Sequence, residues 1–372
     1  MSSIDRARIQ EAAAELGLQV GVAESTPGPE AQRLQAFVAA GRHGEMEWMA
    51  REPERRSDPN VVLPGVRSVV SVAEPYSHGP RPAPPDDRPR GRIARYALGR
   101  DYHRTLVDKV RRLARVLGTT EAARPYVDTG PVMEKPWAQR AGLGWIGKHT
   151  NTVSRTLGSW FLLGEVLSTE VIEPDAPHAD RCGTCTRCLE VCPTGALRPD
   201  EPYAMDARLC ISYLTIELRG PIPVPLRPLI GTWIFGCDLC LDVCPWNKFA
   251  QAGADARYAP RPEWEDPDLT AMLAWDEATW DLATRGSPIR RAKRAGLLRN
   301  AAVALGNAGD RSAVPALAHC LATEPEPLVR GHAAWALGAL GGAAAARALN
   351  AAREEDAYVA GEIAAAQAQE AR

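Results

Sequence analysis

The sequence predicts three kinds of architecture in one chain of 372 residues: an α/β or α+β domain with a central sheet, an inserted ferredoxin-like segment for two iron–sulfur clusters, and C-terminal HEAT-like helical repeats. Three observations support this. Helical and β-branched stretches alternate up to about residue 175, eight of the nine cysteines lie between residues 182 and 244, and a repeat begins near residue 287. The predicted segments are 1–175, 176–250, a connector at 251–285, and 286–372.

The alternation in the first segment predicts a layered domain built around one sheet. Apolar residues at helical spacing predict helices at about 4–16, 34–38 and 102–117, and apolar or β-branched runs predict strands at 20–23, 68–73, 126–128 and 160–167. Residues 80–89, rich in proline and aspartate, are expected to form an exposed loop. No G-x-G-x-x-G or Walker motif follows a strand, which argues against a Rossmann or P-loop nucleotide site.

The cysteines follow a ferredoxin spacing. Cys182-x2-Cys185-x2-Cys188-x3-Cys192-Pro193 matches the bacterial run in which the fourth cysteine ligates the other cluster. A lone Cys210 follows, and then Cys237-x2-Cys240-x3-Cys244-Pro245. We therefore assign one [4Fe–4S] cluster to Cys182, Cys185, Cys188 and Cys244, and the other to Cys192, Cys210, Cys237 and Cys240.

Zinc and disulfide bonds are the alternatives for these cysteines. Zinc prefers paired CxxC motifs or Cys/His mixtures and gives no reason for the two Cys-Pro endings. Disulfides need an oxidising compartment, and the N-terminal residues show neither a signal-peptide layout nor a twin-arginine motif. The ninth cysteine, Cys320, lies in an Ala/Leu-rich stretch and is predicted to be a buried small hydrophobe.

Composition limits the possible partners and location. The net charge of −2 gives no general attraction to nucleic acid, so any such binding requires a local basic patch. No run of about 18 apolar residues predicts a membrane span. Reduced cysteines without an export signal predict a cytoplasmic protein with no membrane partner.

Three polar stretches of the first segment are candidates for chemistry. Tyr102 and His103 open a predicted helix, Asp128 ends a predicted strand, where open sheets bind ligands, and the glycine-rich loop 142–151 suits close approach to a flat or anionic ligand. In the alternative interpretation, Asp128 is only a turn former, His103 is a surface residue and the loop is a plain turn. Two electron-transfer clusters, however, must feed some further redox centre.

Six motifs together resemble the epoxyqueuosine reductase family, in chain order from about residue 40 to the C-terminus. They are YALGRDYH at 96–103, VDTGP at 127–131, RAGLGWIGK at 140–148, GSWFLLGE at 158–165, CISYLTIE at 210–217 and GCDLCLDVCPWN at 236–247. The resemblance implies an oxidoreductase that removes the epoxide oxygen of epoxyqueuosine at the wobble position of tRNA, which gives queuosine.

The resemblance also implies cofactors and site residues. Cobalamin would bind in residues 1–175 and receive electrons from the two [4Fe–4S] clusters. Asp128 matches the family's proposed proton donor, and we expect an apolar corrin pocket to raise its pKa and keep it protonated. Tyr102 matches an aromatic residue near the substrate. The implied corrin contacts are Arg56, Arg95, Asp128, Lys148, Asn151, Ser154 and Ser212. The D-x-H-x-x-G pattern of a histidine lower ligand is absent.

The C-terminal segment contains an internal repeat and a basic stretch. Residues 300–309 align with 332–341, which predicts HEAT-like helix pairs with a period of 32, shorter than the usual unit. Basic residues stand where this array begins, and for a tRNA substrate we expect them to contact phosphates. The alternative is a solvated helix face. These residues are Arg290, Arg291, Lys293, Arg294 and Arg299.

The expected partners follow from this interpretation: a tRNA that carries epoxyqueuosine and a low-potential electron donor of the reductase or flavodoxin type, with the chain acting as a monomer. Two other functions stay open. The chain could be a ferredoxin-type reductive activator of a corrinoid or flavin protein, or a reductive dehalogenase-like enzyme on small molecules. Salt-sensitive binding of an anticodon stem-loop distinguishes the first reading from both.

Overall fold

The computed structural model describes residues 6–79 and 90–370 and divides into two compact units. The first unit comprises residues 1–79, 99–207 and 238–259, and the second comprises 80–98, 208–237 and 260–372. These units do not follow the four consecutive segments expected from sequence. The cysteine-rich segment is shared, with Cys210 and Cys237 in the second unit and its other six cysteines in the first. The loop expected at 80–89 lies outside the described residues.

The strands are β1 (Gln19–Glu24), β2 (Ser68–Pro75), β3 (Arg92–Ile93), β4 (Ala123–Tyr126), β5 (Trp145–Ile146), β6 (Thr152–Val153), β7 (Phe161–Ser168) and β8 (Trp233–Phe235). The α-helices of the first 250 residues are α1 (Arg6–Glu15), α2 (Glu30–Ala39), α3 (Glu47–Ala50), α4 (Pro53–Ser57), α5 (Pro59–Val62), α6 (Tyr102–Leu117), α7 (Glu134–Arg140), α8 (Arg187–Glu190), α9 (Ile211–Ile216) and α10 (Leu239–Asp242). The later helices are α11 (Pro262–Glu265), α12 (Leu269–Met272), α13 (Glu277–Thr284), α14 (Lys293–Ala308), α15 (Val314–Thr323), α16 (Pro327–Leu340), α17 (Ala343–Ala351) and α18 (Ala357–Glu370).

A four-stranded sheet of order β1-β2-β7-β4 forms the centre of the first unit. Successive residues of a strand point to opposite faces, so Val70 and Val166 face α1 and α6. Val69 and Leu167 face the other side with Trp137 of α7. The buried, β-branched character of β2 follows from this cover on both faces.

Every pairing in this sheet is antiparallel. Of the two architectures expected, the first unit is therefore α+β. The strand expected at 126–128 ends at Tyr126, because Asp128 has a φ of 53°, a left-handed conformation that extended strands do not contain. Asp128 thus lies in the turn beyond the strand.

The second unit contains the helical repeats, and the expectation of HEAT-like pairs is confirmed. Helices α14, α16 and α18 pack side by side, with α15 and α17 against them. Close packing of the helices requires small residues. A Cβ atom at position 306, which Gly306 lacks, would lie only 3.0 Å from the Cα atom of Ala336. Cys320 is buried as predicted, and the connector buries Trp264 and Trp280. Within residues 6–79 and 90–370, no helix has both the length and the apolar character that a membrane span requires.

Candidate functional site

Asp128 and the first turn of α6 form a hydrogen-bonded group in the first unit. The Asp128 side chain is 56% exposed. Its Oδ2 accepts a hydrogen bond from the Tyr102 hydroxyl at 2.8 Å and lies 2.7 Å from Nε2 of His103. Asp101 caps α6 by accepting the backbone N–H of His103, and the same carboxylate oxygen lies 2.7 Å from Nδ1 of that ring. The Asp101-Tyr102-His103 sequence therefore caps the start of α6 and also places two side chains against Asp128.

His103 carries a proton at neutral pH. Burial disfavours the charged ring, but hydrogen bonds to Asp101 and then Asp128 outweigh it and raise the pKa of His103 to about 9. Both ring nitrogens then donate, one to each carboxylate. The interpretation of His103 as a plain surface residue is therefore wrong. The sequence signal for this arrangement is a helix-capping Asp two residues before the His, because one carboxylate can then bind both the backbone N–H and the ring of His103.

The surroundings of Asp128 differ from the apolar pocket expected around it. Its carboxylate faces solvent on one side and a charged imidazole on the other. A proton for a reacting group at this carboxylate can therefore come from His103, across a 2.7 Å hydrogen bond. The positive φ of Asp128 is the kind of backbone strain that concentrates at functional sites.

Arg56 lies against the loop that carries Asp128. Its guanidinium donates to the carbonyl oxygens of Gly130, at 3.5 Å, and Trp48, at 3.3 Å, and lies 4.9 Å from the centre of the Trp48 ring. Burial lowers the pKa of Arg56, although Glu134 and Asp128 oppose this. The Trp48 side chain is 40% exposed, so a flat aromatic and guanidinium surface lies next to the Asp128 loop.

The other implied corrin contacts belong to both units. Lys148 donates to the carbonyl oxygens of Gly183 and Cys185, at 2.7 and 3.0 Å, and so fixes the cysteine-bearing loop. Two more stay in the first unit: the Asn151 side chain accepts from Lys135 at 2.9 Å, and the Ser154 hydroxyl is buried. Arg95 and Ser212 belong to the second unit.

The four cysteines assigned to one cluster, Cys182, Cys185, Cys188 and Cys244, all belong to the first unit. Burial, followed by the charges of Cys182, Cys244 and Cys185, raises the pKa of the Cys188 thiol to about 11. Cys182 also accepts a hydrogen bond from Trp145 Nε1 at 3.4 Å. This donor set fits a [4Fe–4S] cluster, and hydrogen bonds to cluster sulfurs are one determinant of its potential.

The remaining cluster cysteines are divided between the units. Cys192 and Cys240 pack against the apolar cluster around Leu189 and Leu197 in the first unit. Cys210 precedes α9 and Cys237 follows β8, both in the second unit. The assignment of these four to one cluster stays a prediction.

The basic residues of the helical array are mostly engaged by the protein itself. Arg299 is completely buried and donates to the carbonyl oxygens of Leu214, Leu218 and Gly220, so it cannot contact a phosphate. The side chain of Arg294 is 12% exposed and bound to Glu324 by two hydrogen bonds. The predicted tRNA contact is wrong for Arg299 and is not supported for Arg294, because sequence periodicity did not reveal which helix face is covered.

Three basic residues stay accessible at the start of the array. Arg291 and Lys293 are exposed, and Arg290 is partly exposed. Arg290 and Arg291 pair with Asp281 and Glu217, respectively. Ion pairs with a solvent-accessible arginine contribute about 0–1 kcal/mol, so another anion can compete for these guanidinium groups.

Comparisons with known proteins identify the parts of the chain. Residues 56–129 match the family model "Epoxyqueuosine reductase QueG, DUF1730", residues 181–247 match a 4Fe-4S double cluster binding domain, and residues 289–368 match HEAT repeats. The chain is therefore expected to bind two [4Fe–4S] clusters, as its cysteine spacing predicts.

Full-length relatives agree with these matches. The epoxyqueuosine reductase of Salmonella typhimurium is 43% identical, with 87% of this chain and 85% of that protein covered. The Escherichia coli enzyme is 41% identical over 89% and 88%. The crystal structure of an epoxyqueuosine reductase with an epoxyqueuosine-modified tRNA-Tyr stem-loop superimposes with a TM-score of 0.91 at 31% identity, covering 99% of both chains. By sequence and by fold, the chain belongs to the epoxyqueuosine reductase family.

Proposed function

We propose that this chain reduces the epoxide of epoxyqueuosine in tRNA to the alkene of queuosine, with electrons supplied through two [4Fe–4S] clusters and cobalamin. The observation that carries the proposal is the exposed Asp128 carboxylate, hydrogen-bonded to Tyr102 and to a charged His103. The reaction consumes two electrons and two protons and releases the epoxide oxygen as water. It therefore needs a rechargeable acid beside the reacting oxygen.

Each side chain around Asp128 has a separate role in proton transfer. His103 passes a proton from Nε2 to the Asp128 carboxylate, Asp128 delivers it to the epoxide oxygen, and solvent recharges His103 for the second proton. Asp101 holds the ring through Nδ1 and stabilises its charge. Tyr102 donates to the same Asp128 oxygen and fixes the carboxylate's orientation.

The cofactor residues fit this chemistry. The thiols around Cys188 suit one cluster, and Cys192, Cys210, Cys237 and Cys240 hold the second. The Trp48–Arg56 surface beside the Asp128 loop suits a flat ring system, and with Lys148, Asn151 and Ser154 it would hold the corrin. Arg95 and Ser212 complete the proposed contacts. When bound, cobalamin supplies a strongly reducing cobalt centre beside the epoxide.

The partners follow from the substrate. Arg290, Arg291 and Lys293 contact tRNA phosphates, and a low-potential donor of the reductase or flavodoxin type supplies electrons. The chain works as a cytoplasmic monomer. The runner-up functions are a ferredoxin-type activator of a corrinoid or flavin protein and a reductive dehalogenase-like enzyme.

Metal analysis followed by turnover tests the proposal. Protein reconstituted anaerobically with iron, sulfide and cobalamin should retain about eight iron atoms and one cobalt atom per chain after desalting, as two cubane clusters and one corrin require. It should then convert an epoxyqueuosine stem-loop to queuosine. Iron without retained cobalt would favour the activator, and turnover of a small organohalide but not of RNA would favour the dehalogenase-like enzyme.

A further inference from the structure

A fully buried indole group lies against one of the cluster cysteines. Trp145 of β5 has no exposed surface, and its Nε1–H donates to Cys182 Sγ at 3.4 Å. An indole N–H is a donor that cannot accept, and a buried donor needs a partner. The Cys182 sulfur therefore satisfies the one polar atom of this side chain.

Neighbouring residues fix the orientation of the Trp145 ring. Trp145 pairs with Val153 of β6, which holds its backbone. The His178 ring stacks on the indole with centroids 5.0 Å apart, and the Trp246 ring meets it edge-on at 4.9 Å. Aromatic contacts of this geometry are favourable in themselves. The indole is thus held by two other rings, and its N–H stays directed at the sulfur.

Such a hydrogen bond affects the two redox states of a [4Fe–4S] cluster unequally. The reduced cluster carries one more negative charge than the oxidised cluster, so a donor to a ligand sulfur stabilises the reduced state more. Burial strengthens this effect, because the effective dielectric constant around a buried group is low. Hydrogen bonds to the sulfurs are among the determinants of a cluster's potential. The bond from Trp145 should therefore favour reduction.

A carboxylate beside the same ligand acts in the opposite direction. Asp180 Oδ1 accepts the backbone N–H of Cys182 at 2.8 Å, and its negative charge disfavours the addition of an electron. Asp180 is exposed, so water and salt screen its charge. The Trp145 side chain is out of contact with solvent. The buried donor is therefore the less screened of the two groups.

We propose that Trp145 raises the reduction potential of the cluster that Cys182 ligates, so that this cluster accepts an electron more readily. The step is a one-electron reduction by the low-potential donor, and the indole proton stays on Nε1 throughout. Trp145 is a positioning residue that acts through the Cys182 sulfur, not a catalytic residue. This role rests on the proposed function, in which Cys182 is a ligand of a [4Fe–4S] cluster.

A redox titration followed by electron paramagnetic resonance tests this role without turnover. In protein reconstituted with iron and sulfide, Trp145→Phe removes the donor and keeps an aromatic ring. The midpoint potential of one cluster should become more negative, by about 59 mV if the one-electron reduction constant falls about tenfold. A change of this size is expected when a hydrogen bond to a charged group is lost. The midpoint potential of the other cluster should stay at its wild-type value.

Trp246→Phe is the matched control, since it makes the same replacement in a ring that packs on Trp145 and leaves the bond to Cys182 in place. Its midpoint potentials should equal those of the wild type. Equal shifts in the two variants would assign the effect to packing and overturn the proposal, as would an unchanged potential in Trp145→Phe.

An isosteric replacement decides the question if Trp145→Phe does not retain both clusters. 3-Benzothienylalanine at position 145 keeps the size and shape of the indole but has a sulfur atom in place of the N–H. The midpoint potential of one cluster should again become more negative. Loss of a cluster with this isostere as well would assign Trp145 to cluster retention and overturn the proposal. A wild type that holds no cluster would instead reject the proposed function.

Discussion

Buried polar side chains differ between the two units in whether they have hydrogen-bond partners. In the helical array, Arg299 and Asn300 are buried with their side chains bonded to backbone carbonyl oxygens, and Asn300 alone reaches Thr215 and Ile234 at 2.8 Å. Under the sheet, Glu165 and Ser71 are equally buried and have no partners in the described residues. Buried polar groups with hydrogen bonds contribute to stability, whereas a buried polar group without a partner lowers it and needs a further explanation. Mutations in the two regions should therefore separate stability from turnover.

The largest effect should come from Asp128→Asn. The variant keeps the side chain's size and its hydrogen bonds but carries no transferable proton, so turnover of the modified stem-loop should fall about 10²–10⁴-fold. Iron and cobalt content and the free energy of unfolding should stay close to the wild type, because the side chain is exposed. A variant that unfolds or loses metal would place Asp128 among the structural residues and break the comparison.

Arg299→Met should lower the free energy of unfolding, the property that Asp128→Asn leaves unchanged. It removes a buried guanidinium and leaves three carbonyl oxygens and Asn300 without their donor. Each buried acceptor left without its donor costs about 1–3 kcal/mol, which urea unfolding would detect. Arg285→Ala is the matched control, since its side chain is 70% exposed and its pair with Asp281 contributes at most about 1 kcal/mol. Equal stability of the two variants would contradict the structural role.

His103 should affect both stability and turnover, because its hydrogen bonds hold the start of α6 and its proton takes part in the proposed reaction. Its pKa of about 9 in the folded protein lies above the ordinary 6.5, so folding takes up a proton. Its contribution is therefore complete below pH 6.5 and lost as the pH rises through 9. The shift corresponds to at most about 3 kcal/mol, less for screening at the exposed Asp128.

Unfolding free energies of the wild type and His103→Gln across this range measure that contribution, and NMR of ¹⁵N-labelled histidine gives the pKa directly. As a reference, His332 has a pKa held well below the ordinary value by burial, so its ring should stay neutral throughout. A His103 ring that loses its proton near pH 6.5 would show that the two carboxylates do not hold it.

The sequence was sufficient where local spacing determines the outcome. Cysteine spacing predicted the cluster segment, and α6 begins and ends at the residues expected. It was insufficient where pairing across the chain decides. The antiparallel order β1-β2-β7-β4 puts Glu165 opposite Tyr126 and Ser71, 39 and 94 residues away in sequence. No motif announces such a neighbourhood. Likewise, the burial of Arg299 depends on residues 214–220, far from the repeat.

The smallest effect should come from the basic residues that are still accessible. Lys293→Gln together with Arg291→Gln removes two exposed positive charges and the ion pair between Arg291 and Glu217, so the free energy of unfolding should change by about 1 kcal/mol. If both residues contact phosphates, stem-loop affinity should fall, and the slope of log affinity against log salt should decrease by roughly 1.5, since each phosphate contributes about 0.7–0.9. Fluorescence anisotropy between low and moderate salt measures both quantities. Arg353→Gln, an exposed arginine beyond α17, is the matched control and should leave the slope unchanged. An unchanged slope in the double variant would mean that the start of the array does not bind RNA, and that its charges, like Arg299, serve the protein alone.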